Sequence, residues 1–236
     1  MRRSAKACVG ACVLLAGGGH GATASAQETD PPAPFEVSAN IGVVSDYRFR
    51  GISYSDRKPA IQGGIDVSHE TGLFTGTWIT TLSDNGGANL EVDLYGGYAG
   101  SAAGLTYSGT VFYYVYPGVD GWNYWELQGT VGKTLGPATL QLQVNWVPDQ
   151  VSYPGDTIYL GAGLDVGVPD TPVSLRAAIG RETGGYDNKW DWELGASYAM
   201  GPLTASVSYI DTNYAGINEA GRNARGGVVL SLLASF

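Results

Sequence analysis

Nearly every segment after residue 36 alternates apolar and polar residues with a repeat of two. The clearest cases are residues 90–95, 140–146 and 190–194, where many of the polar partners are carboxylates and amides. Because successive side chains of a strand point to opposite faces, each segment is predicted to be a strand with one apolar and one polar face. Such strands can bury the apolar face in a soluble β-protein or turn it outward to lipid in a membrane barrel.

The first 26 residues have the features of a secretory signal. A basic start at Arg2, Arg3 and Lys6 precedes a short apolar run, and small residues at positions 24–26 form a cleavage site. The apolar run is too short to cross a bilayer as a helix. Both cysteines of the chain lie in this segment, so the mature protein is predicted to contain no disulfide.

After this signal, residues 1–26, we predict a short periplasmic leader, residues 27–36, and one β-barrel domain, residues 37–236. The chain has 13 basic and 22 acidic residues, and the signal contains three of the basic ones. The mature balance is therefore 10 basic against 22 acidic residues, a net charge of −12. A chain this acidic is not expected to bind nucleic acid.

Turn residues divide the barrel domain into about twelve predicted strands. Their approximate spans are residues 37–50, 59–71, 73–82, 89–100, 104–116, 124–135, 138–147, 157–168, 173–181, 189–200, 203–211 and 226–236. Short connections such as Gly136-Pro137 and Gly201-Pro202 alternate with longer, polar and glycine-rich ones. This alternation is typical of an all-β, transmembrane, antiparallel up-and-down barrel with both termini in the periplasm. An even number of strands allows closure, which removes exposed sheet edges.

Aromatic residues on the predicted lipid-facing side fall near the strand ends. Those beside the long loops are Tyr47, Phe49, Trp125, Trp146, Trp190, Trp192 and Tyr209. Those at the opposite ends are Tyr98, Tyr107, Tyr198 and Phe236. Two aromatic rings flanking an apolar band are typical of an outer-membrane barrel, whereas a soluble core would place its aromatic residues in mid-strand.

A more specific pattern begins at residue 40. Residues 40–53 have the sequence NIGVVSDYRFRGIS, and residues 59–66 have the sequence PAIQGGID. Together with looser matches at 76–78, 91–98, 113–118 and 124–126, these segments resemble the TorF-type porins, a bacterial family long catalogued as of unknown function. The resemblance covers residues 37–236. It implies an outer-membrane barrel of about twelve strands with a pore, and it supplies no catalytic residues and no defined substrate.

If the apolar face meets lipid, the alternating polar residues line the lumen. By this phase the pore-lining candidates are Asp46, Arg48, Arg50, Gln62, Asp66, Glu70, Glu91, Asp93, Glu126, Gln128, Gln141, Gln143, Asp165, Arg176, Asp191 and Glu193. Carboxylates outnumber guanidinium groups in this set. An acidic path lowers the energy of a cation and raises that of an anion, so the lumen is predicted to be mildly cation-preferring.

Two interpretations of the charged candidates stay open. Arg48, Arg50 and Arg176 could pair with neighbouring carboxylates and stabilise the wall, because an unpaired buried charge is costly. Alternatively, Arg48 and Arg50 could tune the pore together with Asp46 and Asp66. The two interpretations have similar support from the sequence.

An aromatic row takes the same inward phase on the fifth predicted strand. Phe112, Tyr114 and Tyr116 alternate with the outward residues Val111, Tyr113 and Val115. The inward row could stack on sugar rings or narrow the pore, but filling of space near the loop rim is the favoured interpretation.

Enzymatic and metal chemistry are not expected. A nucleophilic hydrolase needs a serine or cysteine beside a base, and His69 is the one histidine of the mature chain. It lies at a short turn with no nucleophile motif around it. With no cysteine and with carboxylates scattered over many strands, neither a metal site nor a cofactor is predicted.

The sequence therefore predicts a porin of the Gram-negative outer membrane for passive diffusion of small hydrophilic solutes. Its expected partners are outer-membrane lipid and lipopolysaccharide, the barrel-assembly machinery and the solutes themselves. One alternative is a non-conducting outer-membrane barrel with an envelope-structural or adhesion role. Another is a soluble periplasmic β-barrel that binds a ligand. Twelve strands lie between the filled and the water-containing barrels, so the pore could be narrow or plugged.

Overall fold

The chain folds into one closed antiparallel barrel of twelve strands. The computed structural model describes residues 34–236 except 86, 154, 185–187 and 215–220, and only the backbone of residues 84 and 85. The barrel strands are β1 (Phe35–Val44), β4 (Ala60–His69), β5 (Leu73–Asn85), β6 (Ala88–Ala102), β7 (Leu105–Val115), β8 (Tyr124–Leu135), β9 (Ala138–Val147), β10 (Thr157–Gly167), β11 (Val173–Thr183), β12 (Lys189–Met200), β13 (Leu203–Thr212) and β14 (Gly227–Ser235). The prediction of about twelve antiparallel strands is confirmed. The predicted signal, residues 1–26, and most of the predicted leader lie outside the described residues.

The barrel closes between its first and last strands. Strand β1 pairs with β14 in a register that joins Asn40 to Ser235 and Val44 to Ser231. Just beyond this ladder, the Phe236 amide donates to the Ala39 carbonyl oxygen at 2.8 Å. Every edge of a barrel strand is therefore paired, which removes the unsatisfied backbone groups of an open sheet. Among the described residues, no helix is long and apolar enough to cross a bilayer.

The two rims of the barrel differ in the length of their connections. One rim, here called the short-turn rim, carries the ends of β1 and β14 and five tight connections between consecutive strands. Gly72, Gly136 and Gly201 adopt positive φ angles of 94°, 60° and 62° in these turns, a conformation that glycine reaches without steric strain. The opposite rim, the long-loop rim, carries the longer connections.

The alternating sequence places apolar side chains outside the barrel and polar ones inside. Ile41, Leu160 and Leu194 project from the outer face, and Leu194 is 62 % exposed. Their inward neighbours include Glu126, which is 1 % exposed, and the fully buried Asp93. This is the reverse of the distribution in a soluble protein, where charged residues almost never have the most buried positions.

Aromatic residues ring the outer face near both rims, with two exceptions to the predicted set. Outward aromatic residues near the long-loop rim are Tyr113, Trp125, Trp146, Trp190, Trp192 and Tyr209, and those near the short-turn rim are Phe35, Tyr98, Tyr107, Tyr198 and Phe236. Tyr47 and Phe49 were predicted in this outer ring, and that prediction is wrong. Tyr47 is buried inside the barrel, and Phe49 packs against the buried core.

The reason is that the first strand is shorter than predicted. Strand β1 ends at Val44 rather than at residue 50, and residues 45–59 turn into the barrel. Within this segment β2 (Arg48–Phe49) and β3 (Ile52–Ser53) form a small antiparallel hairpin. We call residues 45–59 the inward hairpin. It shares no ladder with the barrel sheet, so its position depends on side-chain contacts and on loop hydrogen bonds.

Candidate functional site in the barrel lumen

Arg50 lies at the tip of the inward hairpin and bonds to two carboxylates on different strands. Its Nη2 donates to Glu126 of β8 at 2.6 Å, and its Nη1 donates to Glu182 of β11 at 2.8 Å. The guanidinium carbon also lies 4.4 Å from the centre of the Tyr159 ring and 4.6 Å from that of Phe49. Arg50 is therefore held by two charge-assisted hydrogen bonds and by aromatic faces in a site with little water access.

Lys189 completes this cluster and was not predicted from the sequence. Its ammonium group donates to the Arg50 carbonyl oxygen at 2.6 Å and lies 2.8 Å from the Glu182 carboxylate. Lys189 is 2 % exposed, and Glu182 is equally buried. Glu182 lies one residue beyond the predicted strand 173–181, and Lys189 is the first residue of the predicted strand 189–200. Both continue the inward phase of Arg176 and Asp191, which is the signal that could have found them.

The tip of the hairpin has a backbone that arginine rarely adopts. Arg50 and Gly51 connect β2 and β3 with φ angles of 47° and 86°. Positive φ at both central residues defines the type I′ hairpin turn, where asparagine or aspartate usually precedes glycine. Gly51 also approaches the wall closely, since a Cβ at this position would lie 2.8 Å from the Cβ atoms of Asp191 and Thr212.

A second anchor joins the base of the hairpin to the opposite wall. The Tyr47 hydroxyl donates to Glu91 of β6 at 2.7 Å, and the Tyr47 ring lies 5.4 Å from that of Trp78 on β5. The hairpin thus contacts β5, β6, β8, β11, β12 and β13, on all sides of the barrel. These contacts place it across the lumen.

Inward aromatic residues fill the space beside the hairpin. Tyr114 stacks on Phe112 at 5.9 Å and on Tyr124 at 4.5 Å, while Phe49 of the hairpin meets the Tyr114 ring edge at 6.2 Å. Tyr116 lies in the same cluster. The inward phase predicted for this row agrees with its burial, and its packing against the hairpin is the space-filling arrangement.

Asp46 and Arg48 pair with each other within the hairpin. Arg48 Nε donates to Asp46 at 2.7 Å, and Arg48 Nη1 donates to the Gly51 carbonyl oxygen at 3.1 Å. The two residues were predicted on the barrel wall, and the structure instead places them on the segment that crosses the lumen. Because their charges cancel locally, Arg50 is the hairpin cation that the wall must neutralise.

The lumen nearer the short-turn rim holds a separate charged group. Arg176 of β11 donates to Asp165 of β10 at 3.0 Å and to Glu193 of β12 at 3.2 Å. These side chains keep between 14 % and 20 % of their surface exposed, unlike the Arg50 cluster. The flanking inward positions are mostly small or hydroxylated, including Ser108, Thr130, Ser206 and Ser231.

The other predicted lumen residues also take inward positions, with one exception. Gln128, Gln141, Gln143 and Asp191 line one lumen cavity, Gln62 lines another, and Asp66 accepts a hydrogen bond from the Tyr95 hydroxyl. Asp93 is buried near Glu91, and neither of its carboxylate oxygens has a hydrogen-bond partner among the described residues. The exception is Glu70, which lies exposed in the turn after β4 at the short-turn rim.

The free space beside the hairpin is small. One cavity of about 90 Å³ lies between the hairpin and strands β7 to β13, and one of about 30 Å³ lies on its other side. A buried water needs roughly 15 Å³ of such space, so the larger cavity has room for a few waters. With the hairpin in this position, the lumen is constricted in its long-loop half.

The far end of the inward hairpin is fastened to the long-loop rim. The Arg57 guanidinium donates to the carbonyl oxygens of Arg225 at 2.6 Å and of Gly226 at 3.3 Å. Asp56 accepts from Arg222, in the 3-10 turn Gly221–Ala224, and from Lys58. Hydrogen bonds from Arg222 and Lys58 hold the pKa of Asp56 below its usual value. We call this group the rim clamp.

Comparison with known proteins identifies a family and a fold. The sequence profile of a family described as "Bacterial protein of unknown function (Gcw_chp)" matches residues 28–231. No curated protein matches the chain at a significant level. Among solved structures, the KdgM porin superposes with a TM-score of 0.60 at 8% identity, over 84% of this chain and 99% of that chain. The NanC porin superposes with a TM-score of 0.57 at 10% identity, over 85% and 99%. At these identities the likeness is one of fold.

Proposed function

The chain belongs to the Gcw_chp family of bacterial proteins of unknown function, and we propose that it is an outer-membrane porin for small hydrophilic solutes. The observation that carries the proposal is the closed barrel with an apolar outer face and a charged interior. The fold shared with the KdgM and NanC porins supports it, as does the sequence resemblance to the TorF-type porins.

The outer face supports insertion into a membrane rather than a soluble role. An apolar surface that surrounds the whole barrel would drive aggregation in water, whereas lipid solvates it without loss. The aromatic rings near the two rims match the two membrane interfaces. In this orientation the short-turn rim and both termini face the periplasm, and the rim clamp faces outward among lipopolysaccharide. The barrel-assembly machinery would insert the chain.

The lumen would prefer cations mildly. Acidic groups inside the barrel outnumber Arg48, Arg50, Arg176 and Lys189, and several of them line the cavity beside the hairpin. A water-filled path past such a surplus of carboxylates favours cation passage. No catalytic role is proposed. His69 bonds to Thr71 at 2.8 Å, and its ring lies 4.7 Å from that of Phe35 at a tilt of 59°, as a turn residue would.

Conductance of the refolded full-length mature protein in planar bilayers tests the proposal. We expect discrete channel openings and, in a salt gradient, a reversal potential of the sign that denotes cation preference. Anion selectivity would remove the electrostatic part of the proposal while leaving the porin. As a control for membrane insertion, Leu194→Arg should impair insertion by ~2–4 kcal/mol, because it places a charge on the lipid face.

A second candidate is a non-conducting barrel with an envelope-structural or adhesion role. The observation that favours it is the hairpin itself, which constricts the lumen through contacts on all sides. A barrel that inserts, shows heat-modifiable gel migration and yet gives no openings under any voltage would support this candidate. A soluble ligand-binding barrel would instead stay folded and monodisperse without detergent.

A further inference from the structure

The barrel wall around the hairpin tip is an acidic surface with fewer cations than carboxylates. Inward carboxylates on the barrel strands include Asp66, Glu91, Asp93, Glu126, Asp165, Glu182, Asp191 and Glu193. Among the described residues, the inward bases on the same strands are Arg176 and Lys189. Since Asp46 and Arg48 neutralise each other, Arg50 is what the hairpin adds to this wall. Without Arg50, the wall would hold Glu126 beside the Glu182–Lys189 pair.

The pocket around Arg50 has the geometry of a guanidinium receptor. Glu126 and Glu182 bind two different Nη atoms at 2.6 and 2.8 Å, and the Tyr159 ring lies 4.4 Å from the guanidinium carbon. Two carboxylates and an aromatic face match the planar fork of donors and the weakly hydrated faces of this group. Glu126 is kept in position by Asn145, whose amide donates to its other oxygen at 2.6 Å.

The hairpin backbone indicates that Arg50 is present for its side chain. A type I′ turn favours asparagine, aspartate or glycine at the first central position, and arginine gains nothing there from its backbone. A non-glycine residue with φ of 47° is a strained choice that its surroundings must hold in place. The side-chain contacts of Arg50 keep its backbone in this conformation.

Independent support for a ligand comes from the adjoining cavity. The cavity of about 90 Å³ is lined by Arg50, Glu126, Tyr159 and Asp191. Asp191 is only 9 % exposed, and its Oδ2 has no hydrogen-bond partner among the described residues. A buried carboxylate oxygen without a donor is costly, and a cation in this cavity would satisfy it.

We propose that the pocket formed by Glu126, Glu182 and Tyr159 binds guanidinium-bearing cationic solutes, and that Arg50 is its internal occupant. A solute that competes for the pocket displaces the hairpin tip, and the adjoining cavity with Asp191 gives it a first position beside Arg50. This inference rests on the proposed porin function for passage of the solute, but binding can be tested without passage. An amine is a poorer match, since Lys189 already supplies an ammonium group to Glu182.

Binding of guanidinium ion to an Arg50→Met variant is the direct test. The refolded full-length mature protein is titrated in detergent with millimolar guanidinium chloride, and with tetramethylammonium chloride at equal ionic strength. Tetramethylammonium carries the same charge and can contact an aromatic ring but cannot donate hydrogen bonds, so it reports binding without the two hydrogen bonds to the carboxylates. We expect the affinity of the variant for guanidinium to be at least ~10-fold higher than that of the wild type, because Arg50 occupies the wild-type pocket most of the time.

Arg181→Met is the matched control, since it makes the same chemical change on the outer face, where Arg181 lies over Trp190. It should bind guanidinium as the wild type does. A Glu126→Gln change added to Arg50→Met should abolish the gain. Equal binding of guanidinium and tetramethylammonium by Arg50→Met would overturn the proposal.

Current through the wild-type protein gives a second readout that does not depend on the folding of any variant. Guanidinium should prolong channel openings relative to potassium and tetramethylammonium at the same ionic strength. Openings that follow only the bulk mobility of the three ions would contradict displacement of Arg50, while leaving the porin function intact. If no protein conducts and Arg50→Met still binds guanidinium, the porin function fails and the binding site stands.

Discussion

The two halves of the lumen are built from different side chains. In the long-loop half, Arg50, Lys189 and Glu182 form a buried network that packs beside tyrosine and phenylalanine rings. In the short-turn half, Arg176 pairs with Asp165 and Glu193 on partly exposed side chains among serine and threonine residues. Both halves contain an arginine between two carboxylates, so the difference lies in their surroundings.

We infer from this difference that the long-loop half sets the width of the lumen and that the short-turn half sets the charge along it. The Arg50 network joins the inward hairpin, which lies in the lumen, to strands on several sides, so breaking it would change the width of the lumen. The Arg176 network joins three neighbouring strands of one wall, so breaking it would change the charge along the lumen and leave its width alone. Four changes test this division, in order of expected effect.

Arg50→Met should have the largest effect. It leaves Glu126 without its cation and Glu182 with Lys189 alone, and loss of one partner of a buried ion pair destabilises by ~3 kcal/mol or more. We expect conductance to rise severalfold as the hairpin loses its hold on the wall, measured in single-channel recordings. Unchanged conductance together with lower stability would mean that the hairpin stays in place without Arg50.

Tyr47→Phe should weaken the attachment of the hairpin base to the barrel wall in the same half of the lumen. It removes the hydrogen bond to Glu91 and keeps the ring that packs on Trp78. Leaving a buried acceptor without its donor costs ~1–3 kcal/mol, so the urea midpoint of the folded band in gels should fall. Tyr159→Phe is the comparison variant: its hydroxyl bond to Asp191 is longer, 3.2 Å, and its loss should lower the midpoint less. The reverse order would show that the Tyr47 anchor is not what holds the hairpin base.

Arg176→Gln should change selectivity more than stability. Its ion pairs are partly solvated, so breaking them should cost less stability than breaking the buried pairs of Arg50. Removal of one positive charge should move the reversal potential toward stronger cation preference, with conductance close to that of the wild type. A large rise in conductance instead would mean that the short-turn half also sets the width of the lumen.

Acidification should have the smallest effect, at the rim clamp. The pKa of Asp56 is lowered by hydrogen bonds from Arg222 and Lys58. A lowered pKa in the folded protein means that this contribution is fully present above the usual pKa of aspartate, roughly 4, and is lost as the pH falls through the lowered value. The protection of the amides of residues 53–58, taken relative to their intrinsic exchange rates at each pH, should therefore fall at low pH. In Asp56→Asn the protection should already be lower at neutral pH, and the low-pH step should be missing.

Much of the barrel could be predicted because the face that a side chain takes on a strand follows from its position relative to its neighbours in the sequence. The predicted spans of the second to the twelfth strands agree with the observed strands to within a few residues, and inward residues such as Glu91, Gln141 and Asp191 were found from phase alone. Glu182 and Lys189 were missed because they lie at strand ends, where a turn and a strand have similar sequences. The inward phase of Arg176, continued to the end of its strand, would have included Glu182. The inward phase of Asp191, continued back by two residues, would have included Lys189.

The hairpin could not be predicted in the same way. Residues 45–50 alternate as regularly as any strand, and the alternation is equally satisfied by a longer β1 or by a segment that leaves the sheet. What separates the two cases is pairing: the β1–β14 ladder stops at Val44 and Ser231, and the next residues find Glu91, Glu126 and Glu182 across the lumen.

By itself the sequence determined the number of strands, their two faces and the acidity of the lumen, because these depend on the order of neighbouring residues. Only the tertiary structure decided that Tyr47 and Arg50 lie inside the barrel rather than on its wall. For Tyr47 the carboxylate partner is Glu91, 44 positions away in the chain, and for Arg50 the partners Glu126 and Glu182 are 76 and 132 positions away. Closure of the barrel brings these carboxylates to the hairpin.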